Sequence, residues 1–230
     1  MIGGILPDWV AAEAAYDDPE GDPSDELFPQ ERALIARAVP KRRREFTTVR
    51  FLARRALRRL GEAPVPLLPD RRGAPSWPAG VVGSMTHCEG YRAAVVARSP
   101  RTAAVGIDAE PDAPLPEGVR DVVTLPGERA RLDALAARDP RVSWDRLLFS
   151  AKESVFKVWY PLTRRELDFT EAEIEIDPSD RTFLARLLVP GPVIGELQVT
   201  QFPGRWIASR GLVATAVHIG AAPHTGTGPT

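Results

Sequence analysis

The stretch SWDRLLFSAKESVFKVWYP, residues 143–161, reads as one amphipathic helix. Trp144, Leu147, Leu148, Ala151, Val155, Val158 and Trp159 recur at the spacing that lines one helical face. Ser143 stands where an N-cap belongs, and Pro161 where the helix is expected to close. On either side the period changes to two. Downstream, EAEIEID (171–177), TFLARLLV (182–189), ELQVTQF (196–202), RWIASR (205–210) and LVATAVHI (212–219) alternate as strands. Upstream, a weaker helical pattern covers 127–138, and AAVGIDAE (103–110) reads as a strand ending in the loop PDAPLPEG.

The first half has the same order of elements. Helical pattern runs from Pro29 to Val39, where Pro40 is expected to break or kink it, and again from Arg42 to Leu60. A Pro-rich loop over 62–80 leads to the strands VVGSM (81–85) and YRAAVVA (91–97), joined by the turn THCEG. Residues 1–28 are acidic and Pro-rich without clear periodicity, and 221–230 are expected to be disordered. The reading is therefore α+β, with helices packed on small, largely antiparallel sheets. The division falls within 100–112 and is drawn as 1–105 and 106–220.

The 230 residues suffice for one large or two small domains, with 43% apolar and 27% charged residues. A net charge of −1 argues against a molecule that is basic as a whole, such as a general nucleic-acid binder. The single cysteine, Cys88, allows no intrachain disulfide, and no apolar run or signal peptide is evident. A cytoplasmic protein that avoids membranes and nucleic acid is expected.

Four groups of residues could carry chemistry. In VGIDAE, strand parity puts Asp108 and Glu110 on one face and Val105, Ile107 and Ala109 on the other. Adjacent carboxylates need a cation or a shared proton, and hard oxygens suit magnesium, although this spacing is equally that of a solvated strand face. Glu153 and Lys157 lie four apart on one helical face, which alone is also the pattern of a surface ion pair, and Lys152 adds charge beside them. KRRREFTTVRFLARRALRRL, residues 41–60, holds nine basic residues and one acid, with Arg43, Arg50, Arg54 and Arg58 near one face. Such a face suits a nucleotide phosphate, an acidic protein or RNA. Thr86 and His87 close a strand where both could donate to a phosphate. No second histidine is placed to make Cys88 a nucleophile.

Taken in order, KRRREFTTVRFLARRAL, RRGAPSWPAGVVGSMTHCEGYRAAVVA, VGIDAE and FSAKESVFKVWYPLT resemble the Sfp/EntD-type 4′-phosphopantetheinyl transferases across residues 41–161. The resemblance implies two similar α+β lobes related by a pseudo-twofold axis, within a monomer, and coenzyme A held between them. Asp108, Glu110 and Glu153 match the family's Mg2+ ligands and Lys157 its motif lysine. Thr86 and His87 match the pair that holds the 3′-phosphate of coenzyme A. Arg50, and Arg42 or its neighbour Arg43, match further phosphate contacts, and Arg72 and Gly73 match the stretch lining the adenine end. Val49 and Leu52 depart from a glycine and a cysteine common in the family.

The implied reaction moves the 4′-phosphopantetheine arm onto a serine of an apo acyl or peptidyl carrier protein and releases 3′,5′-ADP. Such carriers serve polyketide, nonribosomal peptide or siderophore synthesis. Glu153 is the expected general base, directly or through a metal-bound water, and Lys157 the group that assists the leaving phosphate. A different magnesium-dependent nucleotide phosphotransferase and an RNA-binding module using the arginine helix are the rival readings. The first is disfavoured by the absence of a Gly-rich phosphate loop in the sequence, the second by the neutral net charge and 7% aromatics.

Overall fold

The structure is a computed structural model that describes residues 1–18 and 26–221; the expected disordered tail lies almost wholly outside the described residues. After a 3-10 turn at Ile2–Ile5 come β1 (Ala11–Ala15), α1 (Pro29–Ile35), α2 (Pro40–Arg59), β2 (Val81–Cys88), β3 (Tyr91–Arg98) and β4 (Thr102–Pro111). Then follow α3 (Val119–Val123), α4 (Pro126–Arg138), α5 (Trp144–Thr163), β5 (Ala172–Asp177), β6 (Thr182–Leu187), β7 (Val193–Ile194), β8 (Leu197–Gln198), β9 (Gln201–Ser209) and β10 (Leu212–Gly220). This is the α+β class expected, with antiparallel sheets.

One sheet has the order β1-β3-β2 and is covered by α2, a second has the order β4-β10-β9-β6-β5 and is covered by α5, and β7 and β8 pair as a small two-stranded sheet. The α5 stripe sits in the core of the larger sheet with Phe183, Phe202 and Trp206. Leu52, Ala53, Ala56 and Leu57 of α2 pack on Ala94 and Val96 of β3, and Val49 is buried as well. A third cluster, including Ile2, Tyr91, Val95, Ile107 and Ala214, lies between the sheets.

The sheets meet edge to edge at β2 and β4 through side chains. Ser84 Oγ accepts from Ile107 N–H at 3.1 Å, and Thr86 Oγ1 accepts from Ala109 N–H at 3.1 Å. Two N–H groups of the β4 edge are thereby satisfied by β2 side chains without a continuous ladder.

Several sequence expectations are corrected here. The division drawn at 105/106 cuts β4; the change of sheet falls in the turn at 99–101. Pro40 starts α2 at its first position, where its fixed φ suits a helix and its missing N–H costs nothing. Pro161 lies inside α5, which closes later with Arg164 in the left-handed region, its N–H on Tyr160 O at 2.8 Å. Ser143 is the N-cap residue, but its side chain makes no capping bond; its N–H instead donates to Asp112 Oδ1 at 2.7 Å. The first 28 residues hold a strand, because Ala11–Ala15 pairs with β3 despite weak intrinsic preference. The strands anticipated at 196–202 and 205–210 are divided differently, into the short β8 and a continuous β9.

Candidate active site

The site is built where α5 lies closest to β4. A Cβ at Gly106 would stand 2.1 Å from Ser154 O, so only glycine lets the helix approach the strand here. Two residues on, Asp108 faces the same side and is 5% exposed. The approach lets Lys157 Nζ reach Asp108 Oδ1 at 2.8 Å and Ile107 O at 3.0 Å. Thr86 Oγ1 donates to the same carboxylate oxygen at 3.1 Å. Asp108 Oδ2 is buried and has no hydrogen-bond partner among the described residues. The helix is fixed to the sheet by Ser150 and Ser154, whose hydroxyls both meet Thr215 on β10 opposite Asp108.

Glu110 and Glu153 complete the acidic group. Burial, and then the Asp108 charge, raise Glu110 above the usual carboxylate range, while Arg146 at 3.1 Å opposes them. Glu153 is raised by burial; Lys157 opposes the rise and Asp108 adds to it. The alternative of a simple Glu153–Lys157 surface pair gives way to a bond across elements: Lys157 is bonded to Asp108, while its charge is still felt at Glu153. Lys152 is a correction too: it is buried and leads off to Glu128 at 2.8 Å and Phe169 O at 2.6 Å, adding no charge to the site.

A cleft of about 790 Å³ opens between α2, the loop after it, β2 and α5. Arg42, Arg50, Arg72, Gly73, His87, Glu153 and Lys157 all line it. Thr86, Asp108 and Glu110 do not; Thr86 and Asp108 join it through Lys157. Arg42 Nη1 lies 2.7 Å from His87 Nε2. Arg50 stacks on Phe46, with its guanidinium carbon 3.2 Å from the ring centroid, and donates to Leu67 O at 3.1 Å. Burial lowers its pKa to about 10, Glu31 opposing. Gly73 has φ +86°, which lets the Asp70–Ala74 turn fold back on Asp70.

The common arginine face anticipated on α2 divides in two. Arg54 is buried on Glu31 at 3.0 Å, so it supports the fold and is not available to a ligand, while Arg43 donates to the carbonyls of Ala36 and Ala38. Contacts the sequence did not suggest tie the loop to the end of α5: Arg72 to Glu166 at 2.8 Å and Arg164 to Asp70 at 3.2 Å. Their only sequence signal was a cluster of charges in two separate loops. Cys88 is held up at about 12 by burial and by Glu110 and Asp108, so it carries no thiolate at neutral pH.

The donors fit a magnesium ion in part. Asp108 Oδ2 is an unpartnered buried acceptor, and the Asp108 charge is felt at both Glu110 and Glu153. Yet among the described residues no group of three His, Cys, Asp or Glu is disposed to hold a metal. Magnesium takes one or two carboxylates and completes its shell with water and substrate phosphate, which is the kind of donor set present here.

Among the described residues no helix is long and apolar enough to cross a membrane. A model of the 4′-phosphopantetheinyl transferase N-terminal domain matches residues 30–97, and one of the 4′-phosphopantetheinyl transferase superfamily matches 104–216. The chain is 62% identical over 221 residues to 4′-phosphopantetheinyl transferase Svp of Streptomyces mobaraensis, covering 96% of this chain and 90% of the relative. It is 46% identical over 222 residues to 4′-phosphopantetheinyl transferase PptT of Mycobacterium tuberculosis, covering 94% and 97%. Enterobactin synthase component D of Escherichia coli K12 is 38% identical over 128 residues, 54% of this chain and 58% of that one. With a relative this similar over nearly its whole length, the chain belongs to the 4′-phosphopantetheinyl transferase superfamily.

Proposed function

We propose that this chain transfers the 4′-phosphopantetheine arm of coenzyme A to a serine hydroxyl of an apo acyl or peptidyl carrier protein, releasing 3′,5′-ADP. The observation that carries the reading is one cleft that presents phosphate-binding side chains, Arg42 and His87, together with an acid–base pair, Glu153 and Lys157. Arg42, His87 and Arg50 receive the 3′-phosphate, and the Arg72–Gly73 turn borders the adenine. Thr86, assigned to the same phosphate by resemblance, has its hydroxyl engaged at the seam and acts there by holding Asp108.

Glu153 takes the proton of the serine hydroxyl, directly or through an intervening water, as the oxygen attacks the phosphorus that bears the pantetheine arm. A carboxylate raised by burial is a stronger base once ionised, which suits that step. Lys157 stabilises charge on the departing phosphate of 3′,5′-ADP, and its bond to Asp108 keeps its ammonium directed into the cleft. Asp108, with Glu110 or Glu153 as a second carboxylate, would hold magnesium, which when bound would neutralise charge on the diphosphate. The reaction belongs to a cytoplasmic monomer, with the two sheet-and-helix halves as its lobes.

The test is mass spectrometry of an apo carrier protein incubated with this protein, coenzyme A and magnesium. The carrier is expected to gain the mass of one phosphopantetheine arm and to stay unmodified when a chelator is added. An unchanged carrier mass with magnesium present, across acyl and peptidyl carriers, contradicts the proposal.

A further inference from the structure

On the α2 side of the cleft lies a charged chain that the transfer chemistry leaves unexplained. Arg42 Nη1 stands 2.7 Å from His87 Nε2. A guanidinium has only donors, so Nε2 accepts and carries no proton. The imidazole proton is then on Nδ1, which faces Glu45 Oε2 at 3.6 Å. Glu45 is buried, the one acid in the first half of α2, and its other oxygen lies 3.9 Å from Arg92 Nη2. Arg92 is in turn held by Asp18 at 3.0 and 3.2 Å. The charged groups facing His87 are therefore Glu45 and Arg42 from α2, Arg92 from β3 and Lys157 from α5. Burial, then Arg42, Arg92 and Lys157, push the imidazole below its usual range, and Glu45 alone pulls the other way.

A neutral Nε2 offers the cleft a lone pair, which repels a phosphate oxygen. Arg42 has no carboxylate partner among the described residues, so an incoming dianion can draw it off the imidazole. We propose that Glu45 is the positioning residue for His87: its carboxylate, 3.6 Å away, favours the proton on Nδ1 by its charge, so that the 3′-phosphate of coenzyme A takes Arg42 from Nε2 and His87 takes up one solvent proton there to donate to the phosphate. No covalent bond breaks, and the only transfer is one proton from solvent to imidazole. Glu45 then faces an imidazolium and offsets three surrounding cations. The inference rests on the assignment of His87 and Arg42 to the 3′-phosphate made above.

Calorimetric titration of the full chain at pH 7.5, in buffers of different ionisation heat, tests it. The two ligands are coenzyme A and dephospho-coenzyme A, which lacks the 3′-phosphate. That phosphate has already lost its second proton, with a pKa of about 6, so any uptake belongs to the protein. Coenzyme A is expected to bind with net proton uptake and dephospho-coenzyme A without it. Glu45→Gln is expected to lose at least half of the uptake. It should also raise KM for coenzyme A roughly tenfold, the weight of one charge-assisted contact, with a smaller change in kcat and a deficit that shrinks toward pH 6. Equal uptake for the two ligands overturns the proposal, as does wild-type uptake in a folded Glu45→Gln protein. Should that variant fail to fold, the comparison of the two ligands on the unaltered protein still decides. Equal affinity for the two ligands would instead show that the phosphate assignment itself has failed.

Discussion

Two short segments of this chain solve one local problem in the same way. FPQE, residues 28–31, opens α1, and LPGE, residues 125–128, opens α4. Each glutamate is fully buried. Each accepts the N–H of the apolar residue three before it, Glu31 at 3.0 Å and Glu128 at 2.7 Å. Each accepts a distant backbone N–H, from Leu67 at 2.9 Å and from Ile174 at 2.7 Å. Each grips a cation on the long helix of its half, Arg54 at 3.0 Å and Lys152 at 2.8 Å. The difference lies in what stands beside that cation. Glu31 also lies 3.6 Å from Arg50, which lines the cleft and is proposed to meet the phosphate. Lys152 precedes Glu153, the proposed base. One buried clamp thus stands beside a proposed phosphate contact in the first half, and the same device stands beside the proposed base in the second.

Cutting either clamp is expected to have the larger effect on stability. Glu31→Ala and Glu128→Ala each leave a buried cation without its partner, at a cost of about 3–5 kcal/mol, read from denaturant midpoints. Pairing Glu128→Leu with Lys152→Met should recover the part of the loss owed to the stranded charge, while the N–H groups of Leu125 and Ile174 stay without their acceptor. The milder Glu31→Gln and Glu128→Gln separate the halves kinetically. The first is expected to raise KM for coenzyme A and the second to lower kcat, and identical patterns from both would erase the distinction.

The smaller effect concerns the histidines. Burial lowers the pKa of His218, on β10, and is also the largest cause of the lowering at His87. For a group whose folded-state pKa lies below its unfolded value near 6.5, the unfolded chain binds more protons as pH falls. Stability should therefore be flat above pH 7 and decline as pH drops through 6.5 toward the folded value. His218→Gln, which removes an imidazole bonded to Thr102 at 3.0 Å, is expected to flatten that decline by a few tenths to about 1 kcal/mol between pH 7.5 and 5. Coenzyme A should reverse the dependence owed to His87 and leave that of His218 unchanged; reversal at neither or both would break the contrast.

How far the sequence was legible follows from the range of each interaction. All seven residues of the α5 stripe are buried, because three-and-four spacing records burial along a helix directly. β1 was illegible because AAEAA becomes a strand only through its pairing with β3. At the site, parity correctly put Asp108 and Glu110 on one strand face. The bond of Lys157 to Asp108 was not legible, since it depends on Gly106 bringing α5 close to β4, which spacing along the helix does not record. Spacing along α2 could not separate Arg54 from Arg42, because the acid that buries Arg54 lies 23 residues away. The two glutamate clamps were visible only as helix starts, since what each glutamate grips is set by packing.

The central claim is that β4 and α5 act as one catalytic unit through the Asp108–Lys157 contact. The most direct measurement is a double-mutant cycle on the transfer rate, with Asp108→Asn, Lys157→Met and their combination assayed at saturating coenzyme A and carrier. The account predicts that each single change slows transfer by roughly 10²–10⁴-fold, and that the double mutant falls within about tenfold of the slower single. A double mutant whose loss is the product of the two single losses would contradict it, for the two residues would then act independently.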